Sequence, residues 1–178
     1  LLEHRASNKL APVKRESNQQ SDFTNRLASE ADARSLARLR YAFRSSIGVA
    51  TEDEAIFLDR CTAWMEEHLR AESRWKCWVI EQSGELIGCV WVQLVEKIPN
   101  PRDEAEHHAY LTNFYLQESM RGKGVGSRLL EEVIEWCRSR NVHAVILWPS
   151  ERSRGLYARQ GFAVRDDLME LIIADPER

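Results

Sequence analysis

The run Arg121-Gly122-Lys123-Gly124-Val125-Gly126-Ser127 offers chemistry through its backbone. Three glycines in five positions leave N–H groups bare, and basic residues flank the first of them. Placed at the start of a helix, such groups cradle a phosphate-bearing ligand. Residue order excludes the two commoner phosphate loops. A Walker A loop needs Gly-Lys-Ser/Thr, whereas Gly124 follows the lysine, and the dinucleotide pattern needs glycine where Ser127 stands. The order that fits is Arg-x-x-Gly-x-Gly, from Arg121 through Gly124 to Gly126. A second candidate is Tyr157, inside Gly155-Leu-Tyr-Ala-Arg-Gln-Gly-Phe162. Ser150 is placed to cap a short helix there, Gly161 to end it in a left-handed turn, and Phe162 to fold back.

These residues need elements to hold them. Ala109 to Leu116, rich in β-branched and aromatic residues, reads as a strand just before the loop. Beyond the loop, Val125, Leu129, Leu130, Val133, Ile134 and Cys137 recur at helical spacing, with charged residues on the other face. Val142 to Trp148 then suits a buried parallel strand after a crossover helix. Phe162 to Val164 and Leu168 to Ile173 are further strand candidates. Upstream, Phe23 to Ala28 reads as a first strand and Asp32 to Phe43 as a first helix. A second helix is expected over Glu52 to Glu72, burying Ile56, Cys61, Trp64, Met65 and Leu69. Trp75 to Glu81 and Leu86 to Val95, joined through Gln82-Ser-Gly-Glu85, read as a β-hairpin.

The glycine loop and the Tyr157 segment, in this order and separated by a helix and a strand, resemble the acyl-CoA pyrophosphate loop and the C-terminal motif of the GNAT superfamily of N-acetyltransferases. The texture Ala31-Asp-Ala-x-x-Leu-Ala-x-Leu-Arg40 is similar to that family's opening helix. The resemblance implies a single-domain α/β fold, a mixed β-sheet flanked by helices, from about Phe23 to Ile173. It implies that the strands ending at Leu116 and Trp148 splay apart to receive the cofactor arm. Backbone groups of Phe114, Tyr115 and Leu116 would pair with the arm, and Arg121, Gly122, Lys123, Gly124, Val125, Gly126 and Ser127 would hold the pyrophosphate. Acetyl-CoA is then the cosubstrate, with no metal.

The chemistry so implied is direct attack of an amine on the thioester in a ternary complex. A strand amide near Leu116 would stabilise the oxyanion, and Tyr157 would protonate the departing sulfur. Where several relatives carry a glutamate base, this chain has Tyr110; His108, Glu96, Glu106 and solvent are the other options. Ser150 stands where many relatives carry an asparagine on the cofactor arm, though capping suffices to explain it. Acceptor choice is expected from Phe43 to Glu54 and from the turn Arg165-Asp-Asp167, whose Asp166 and Asp167 could attract a cationic amine. The expected acceptor is the primary amine of a small molecule. The alternatives are a protein or peptide N-acetyltransferase, and a non-catalytic acyl-CoA-binding sensor.

Composition agrees with this picture. The chain has 178 residues, 43% apolar and 30% charged, ordinary for one well-cored domain. A net charge of −3 gives no general attraction to nucleic acid or anionic membrane. Arg121, Lys123 and Arg128, with Arg152 and Arg154, form the local exception, expected near the phosphates. Cys61, Cys77, Cys89 and Cys137 lack the paired spacing of a zinc or dithiol site and read as small core residues in a reducing compartment. Most of the six tryptophans read as core fillers, Trp148 excepted. Residues 1–22 read as a polar arm ahead of a catalytic domain over 23–178. With no run of membrane-spanning length and no signal-peptide core, the expected location is cytoplasmic. A homodimer is left open.

Overall fold

Apolar residues alternate along the extended runs, and the chain sorts them onto the two faces of one five-stranded sheet. The computed structural model describes residues 23–173; the expected N-terminal arm, residues 1–22, lies outside them. The strands are β1 (Phe23–Leu27), β2 (Trp75–Gln82), β3 (Glu85–Glu96), β4 (His107–Leu116) and β5 (Val142–Ile146), adjacent in sequence order. The first four pair antiparallel, and β5 joins β4 in parallel after the crossover helix α3 (Val125–Ser139). Ser83 and Gly84 both take positive φ, the conformation that a two-residue hairpin needs between β2 and β3. The expected mixed sheet is thus the observed one.

Helices α1 (Ala33–Ser46) and α2 (Glu54–His68) cover one face, and α3 covers the other. Trp78, Ile80, Val90 and Val92 pack toward α3, whereas Cys77, Val79, Cys89 and Trp91 pack toward α1 and α2. Short α4 (Arg154–Arg159) follows β5 behind a 3-10 turn. The entry to α1 is clamped. Arg26 bridges Asp32 and Glu81, both at 2.8 Å, and Asp32 also accepts from the Ser29 N–H at 2.7 Å. The Arg26 guanidinium is the main reason the Asp32 carboxyl is lowered to about 2.

One irregularity in β4 matters for the site. Cys89 pairs with Tyr115 but Trp91 with Thr112, so β4 carries one residue more than β3 between the same two rungs. Asn113, at φ 50°, absorbs this bulge. Before it, Ala109 and Leu111 face α3; after it, Phe114 and Leu116 do, while Tyr115 turns to the α1 side. Gly88 lets β4 come this close, because a Cβ there would stand 2.9 Å from the Tyr115 carbonyl oxygen.

Several expectations are corrected. The second helix is shorter than expected and its buried stripe is only partly the expected one: Met65 is buried and Cys61 and Leu69 pack against the same core, but Leu58 is buried as well, while Ile56 is 62% exposed and Trp64 is exposed too. Its apolar residues lie too widely around the helix for spacing alone to choose the inner face. Neither Phe162 to Val164 nor Leu168 to Ile173 forms a strand, and Met169 is 94% exposed. Apolar, β-branched sequence becomes a strand only where a neighbouring edge takes its hydrogen bonds, and no strand pairs with this segment. The Ser150 hydroxyl caps no backbone N–H; it meets the Ser153 hydroxyl at 3.0 Å.

Candidate functional site

The parallel ladder between β4 and β5 ends at Tyr110 and Ile146, so from Leu111 to Leu116 the β5-facing edge of β4 has no strand beside it. A cavity of about 650 Å³ opens there. Phe114, Tyr115 and Leu116 line its β4 wall, and Leu147 and Trp148 line the opposite side. The expected splay is therefore present.

The glycine loop closes one end. After a 3-10 turn at Glu118–Met120, Gly122 and Gly124 take φ near 75° and 77°, and α3 begins at Val125. Gly122, Gly124, Gly126 and Ser127 line the cavity. A Cβ on Gly126 would stand 3.5 Å from the Phe114 ring, in space that is now cavity wall. Arg121 lines it too, but its guanidinium is already engaged: Nε donates to the Leu116 carbonyl at 3.0 Å and Nη1 pairs with Glu118 at 2.6 Å. Arg121 thereby ties the loop to the end of β4. The Val125 side chain is buried in the core beneath α3, so any role for it is in its backbone, and Lys123 is exposed on the loop outside the cavity lining. Of the other expected basic residues, Arg152 lines the cavity, and Arg154 pairs instead with Glu151. Arg159, not singled out by the sequence, joins the lining. Open strand edge, bare loop and flanking arginines fit a long phosphate-bearing thioester.

Tyr157 reaches the same cavity from α4. It is 7% exposed, edge-on to Phe114 and Phe162 at ring distances of 6.3 and 5.5 Å. Burial pushes its hydroxyl up to about 12, so the phenol keeps its proton at neutral pH. Gly161 takes φ 88° and the Phe162 N–H returns to the Tyr157 carbonyl at 3.1 Å, the helix stop expected from sequence. Ser150 also lines the cavity.

A second cavity, of about 450 Å³, lies between β4 and the α1–α2 pair. Tyr110 and Thr112 line both cavities, so these two side chains form the wall between them. Trp64, Trp75 and Trp91 supply an aromatic side, their rings meeting at 5.4 to 6.1 Å. Arg40 enters from α1, donating to the Asn113 side-chain oxygen at 3.0 Å. Sequence spacing gave no signal for this assembly, whose members come from both helices and three strands.

Among the described residues no carboxylate lines either cavity. The expected options for a base are not brought in: Glu96 pairs with Arg74 at 2.7 Å, and His108 stacks edge-on against His143 at 5.2 Å outside both linings. Glu106 lines neither cavity. Nor does the Arg165-Asp-Asp167 turn reach the second cavity, and Asp167 is paired with Arg165 at 2.5 Å. From the segment Phe43 to Glu54, Phe43 and Ile47 line the first cavity and not the second. No group of three or more His, Cys, Asp or Glu residues that could hold a metal occurs among the described residues. Their cysteines are all free, and burial pushes Cys89 up to about 12, leaving it an inert thiol. No helix among them is long and apolar enough to cross a membrane.

Comparison with known proteins gives one consistent result. The model of the acetyltransferase (GNAT) family matches residues 40–162. An uncharacterized N-acetyltransferase of Methanocaldococcus jannaschii is 29% identical over 96 residues, which are 49% of this chain and 39% of that protein. The chain thus spans well under half the length of that curated relative. A crystal structure of a predicted acetyltransferase with acetyl-CoA from Clostridium acetobutylicum has a TM-score of 0.72 at 22% identity, covering 84% of this chain and 96% of its own. Glucosamine-6-phosphate N-acetyltransferase from Arabidopsis thaliana has a TM-score of 0.64 at 20% identity, covering 85% and 99%. At such identities the structural likenesses speak for the fold.

Proposed function

The chain belongs to the acetyltransferase (GNAT) family, and on that premise we propose that it transfers the acetyl group of acetyl-CoA to the primary amine of a small molecule while both are bound. The observation that carries this reading is the convergence on one cavity of an open β4 edge, the glycine loop at the start of α3, and buried Tyr157. Acetyl-CoA supplies the activated thioester. The backbone of Phe114, Tyr115 and Leu116 offers its arm the hydrogen bonds that a neighbouring strand would otherwise take. The N–H groups from Gly122 to Ser127 face its phosphates, helped by the positive end of the α3 dipole. Arg152 and Arg159 add charge at the same mouth.

In the transfer, the amine nitrogen forms a bond to the acetyl carbon, the carbon–sulfur bond breaks, the nitrogen gives up one proton and the sulfur gains one. Tyr157 is the donor to sulfur, since it lines the cavity and its phenol is protonated at neutral pH. No side-chain carboxylate lines either cavity, so an ammonium loses its extra proton to water before attack, and the proton the nitrogen releases on bonding to the acetyl carbon also leaves to water, from which Tyr157 is reprotonated. The acceptor approaches through the second cavity, whose size is that of a small-molecule pocket and whose wall at Tyr110 and Thr112 adjoins the first.

Free-thiol release from acetyl-CoA, measured against a panel of amines, amino acids and peptides beside calorimetric binding of CoA, tests the reading. Binding with thiol release toward a small amine is the expected result. Release with peptides alone moves the acceptor to protein, binding without release favours a sensor, and absence of CoA binding removes the proposal.

A further inference from the structure

Arg40 has an unusual environment for a cation. It is partly buried between α1 and β4, it stacks over Phe43 at 5.9 Å, and its only hydrogen bond among the described residues is to a neutral amide, that of Asn113. No carboxylate pairs with it there, and nearby Arg44 is a like charge. Arg60, the other arginine at this cavity, is by contrast paired with Glu52 at 2.5 Å. Arginine does not deprotonate in proteins, and its planar fork carries five donors, so most of its binding capacity faces the cavity unused.

Beside it is a second orphan donor. Trp91 is 2% exposed, lines the same cavity, and its indole Nε1–H has no acceptor among the described residues. That Nε1 atom has almost no accessible surface, so it belongs to the cavity's wall and is out of a ligand's reach. Around both donors the lining is apolar and aromatic, with Phe57, Trp64 and Trp75 contributing.

We propose that this cavity takes an acceptor which is both amine and carboxylate, an amino acid with an apolar or aromatic body, its carboxylate received by Arg40. The assignment rests on the acetyltransferase reading of the adjoining cavity for the direction of the amine, which points past Tyr110 and Thr112 toward the thioester. It also meets the missing base. Pairing with Arg40 cancels the stabilisation that the substrate's own carboxylate gives its ammonium, which eases loss of the amine's proton to water. A cationic amine without a carboxylate would find one unpaired arginine and nothing to offset it.

Phenylalanine and 2-phenylethylamine, which differ by the carboxylate, decide the matter. Calorimetric binding of each to the full chain, with and without CoA, gives a readout independent of turnover; thiol release from acetyl-CoA gives the second. Phenylalanine is expected to bind and react about 10- to 100-fold better, the range for a charge-assisted pair. In Arg40→Met this preference should disappear with CoA affinity unchanged, and Arg40→Lys should restore part of it. A purely structural Arg40 would instead weaken both ligands alike and leave their ratio near the wild-type value. Equal or better binding of 2-phenylethylamine, or an unaltered ratio in Arg40→Met, overturns the proposal. Failure of CoA to bind, with phenylalanine still preferred, would sink the acetyltransferase reading and spare this one.

Discussion

The two sides of β4 are built from different materials. On the α3 side the site is mostly main chain: an open strand edge, a glycine loop and a helix N-terminus, with Tyr157 as the principal side chain. On the α1–α2 side it is mostly side chains, Arg40, Trp91 and their aromatic neighbours, converging from separate elements. A backbone site needs particular residues where φ is positive or where a Cβ would intrude, so it leaves a local mark in sequence. A side-chain site needs only that distant positions meet. If the proposed division holds, variation in the second would change the acceptor while the first keeps handling the same cosubstrate.

The largest effect expected is on chemistry alone. Tyr157→Phe removes the proposed proton donor and little else, because the ring keeps its contacts with Phe114 and Phe162. Turnover should fall by about 10²- to 10⁴-fold, the usual weight of a positioned acid, while CoA affinity measured by calorimetry stays within about twofold. Unchanged turnover would remove the acid and leave Tyr157 a packing residue. A parallel loss of CoA affinity would put Tyr157 among the groups that hold the arm.

Next is a substitution whose effects on stability and binding should have opposite signs. Gly126 lies in the first turn of α3, at a φ open to any residue, and an added methyl would make an ordinary contact with Phe114 at 3.5 Å. Gly126→Ala should therefore stabilise the helix, by about 0.5–1 kcal/mol in denaturant unfolding. The same methyl occupies the wall on which the ligand backbone must lie, so CoA affinity should drop, and acceptor binding in the second cavity should not change. Loss of both affinities would mean that the two sides of β4 are less separable than their construction suggests.

What could be read from sequence follows this division. The order of strands and helices as far as the last short helix and the helix stop at Gly161 were legible, because hydrophobic period and glycine position report on local geometry, whereas the splay of the two strands came only with the family resemblance. The bulge at Asn113 was not, since a non-glycine residue at positive φ leaves no compositional trace, and it exchanges the faces of all the residues after it. The run from Leu168 to Ile173 was misread for a related reason: strand propensity was plain, but pairing depends on an edge elsewhere. Arg40 entered the sequence reading only as the last residue of the opening-helix texture. Only its meeting with Trp91 and Asn113, 51 and 73 positions along the numbering, distinguishes it.

A smaller effect would show whether the acceptor side depends on the seating of α1. Arg26 holds Asp32 at the entry to that helix and Glu81 on β2, far from the glycine loop in the chain. The Asp32 carboxyl, ordinarily near 3.8, is lowered to about 2 in the folded protein. A depressed folded value means that the clamp stabilises the native state above the ordinary carboxylate range, and that this stability is lost as pH falls toward 2. Arg26→Met should accordingly cost about 1 kcal/mol at pH 7, solvent screening of the partly exposed pair taking up the rest of the shift, and unfolding curves of variant and parent should draw together in acid. At neutral pH the variant should bind CoA as the parent does and show a modestly raised KM for the acceptor, because α1 carries Arg40. An equal shift in both would tie the seating of α1 to the cosubstrate as well, through Phe43 and Ile47, which reach from α1 and its C-terminal cap into the first cavity.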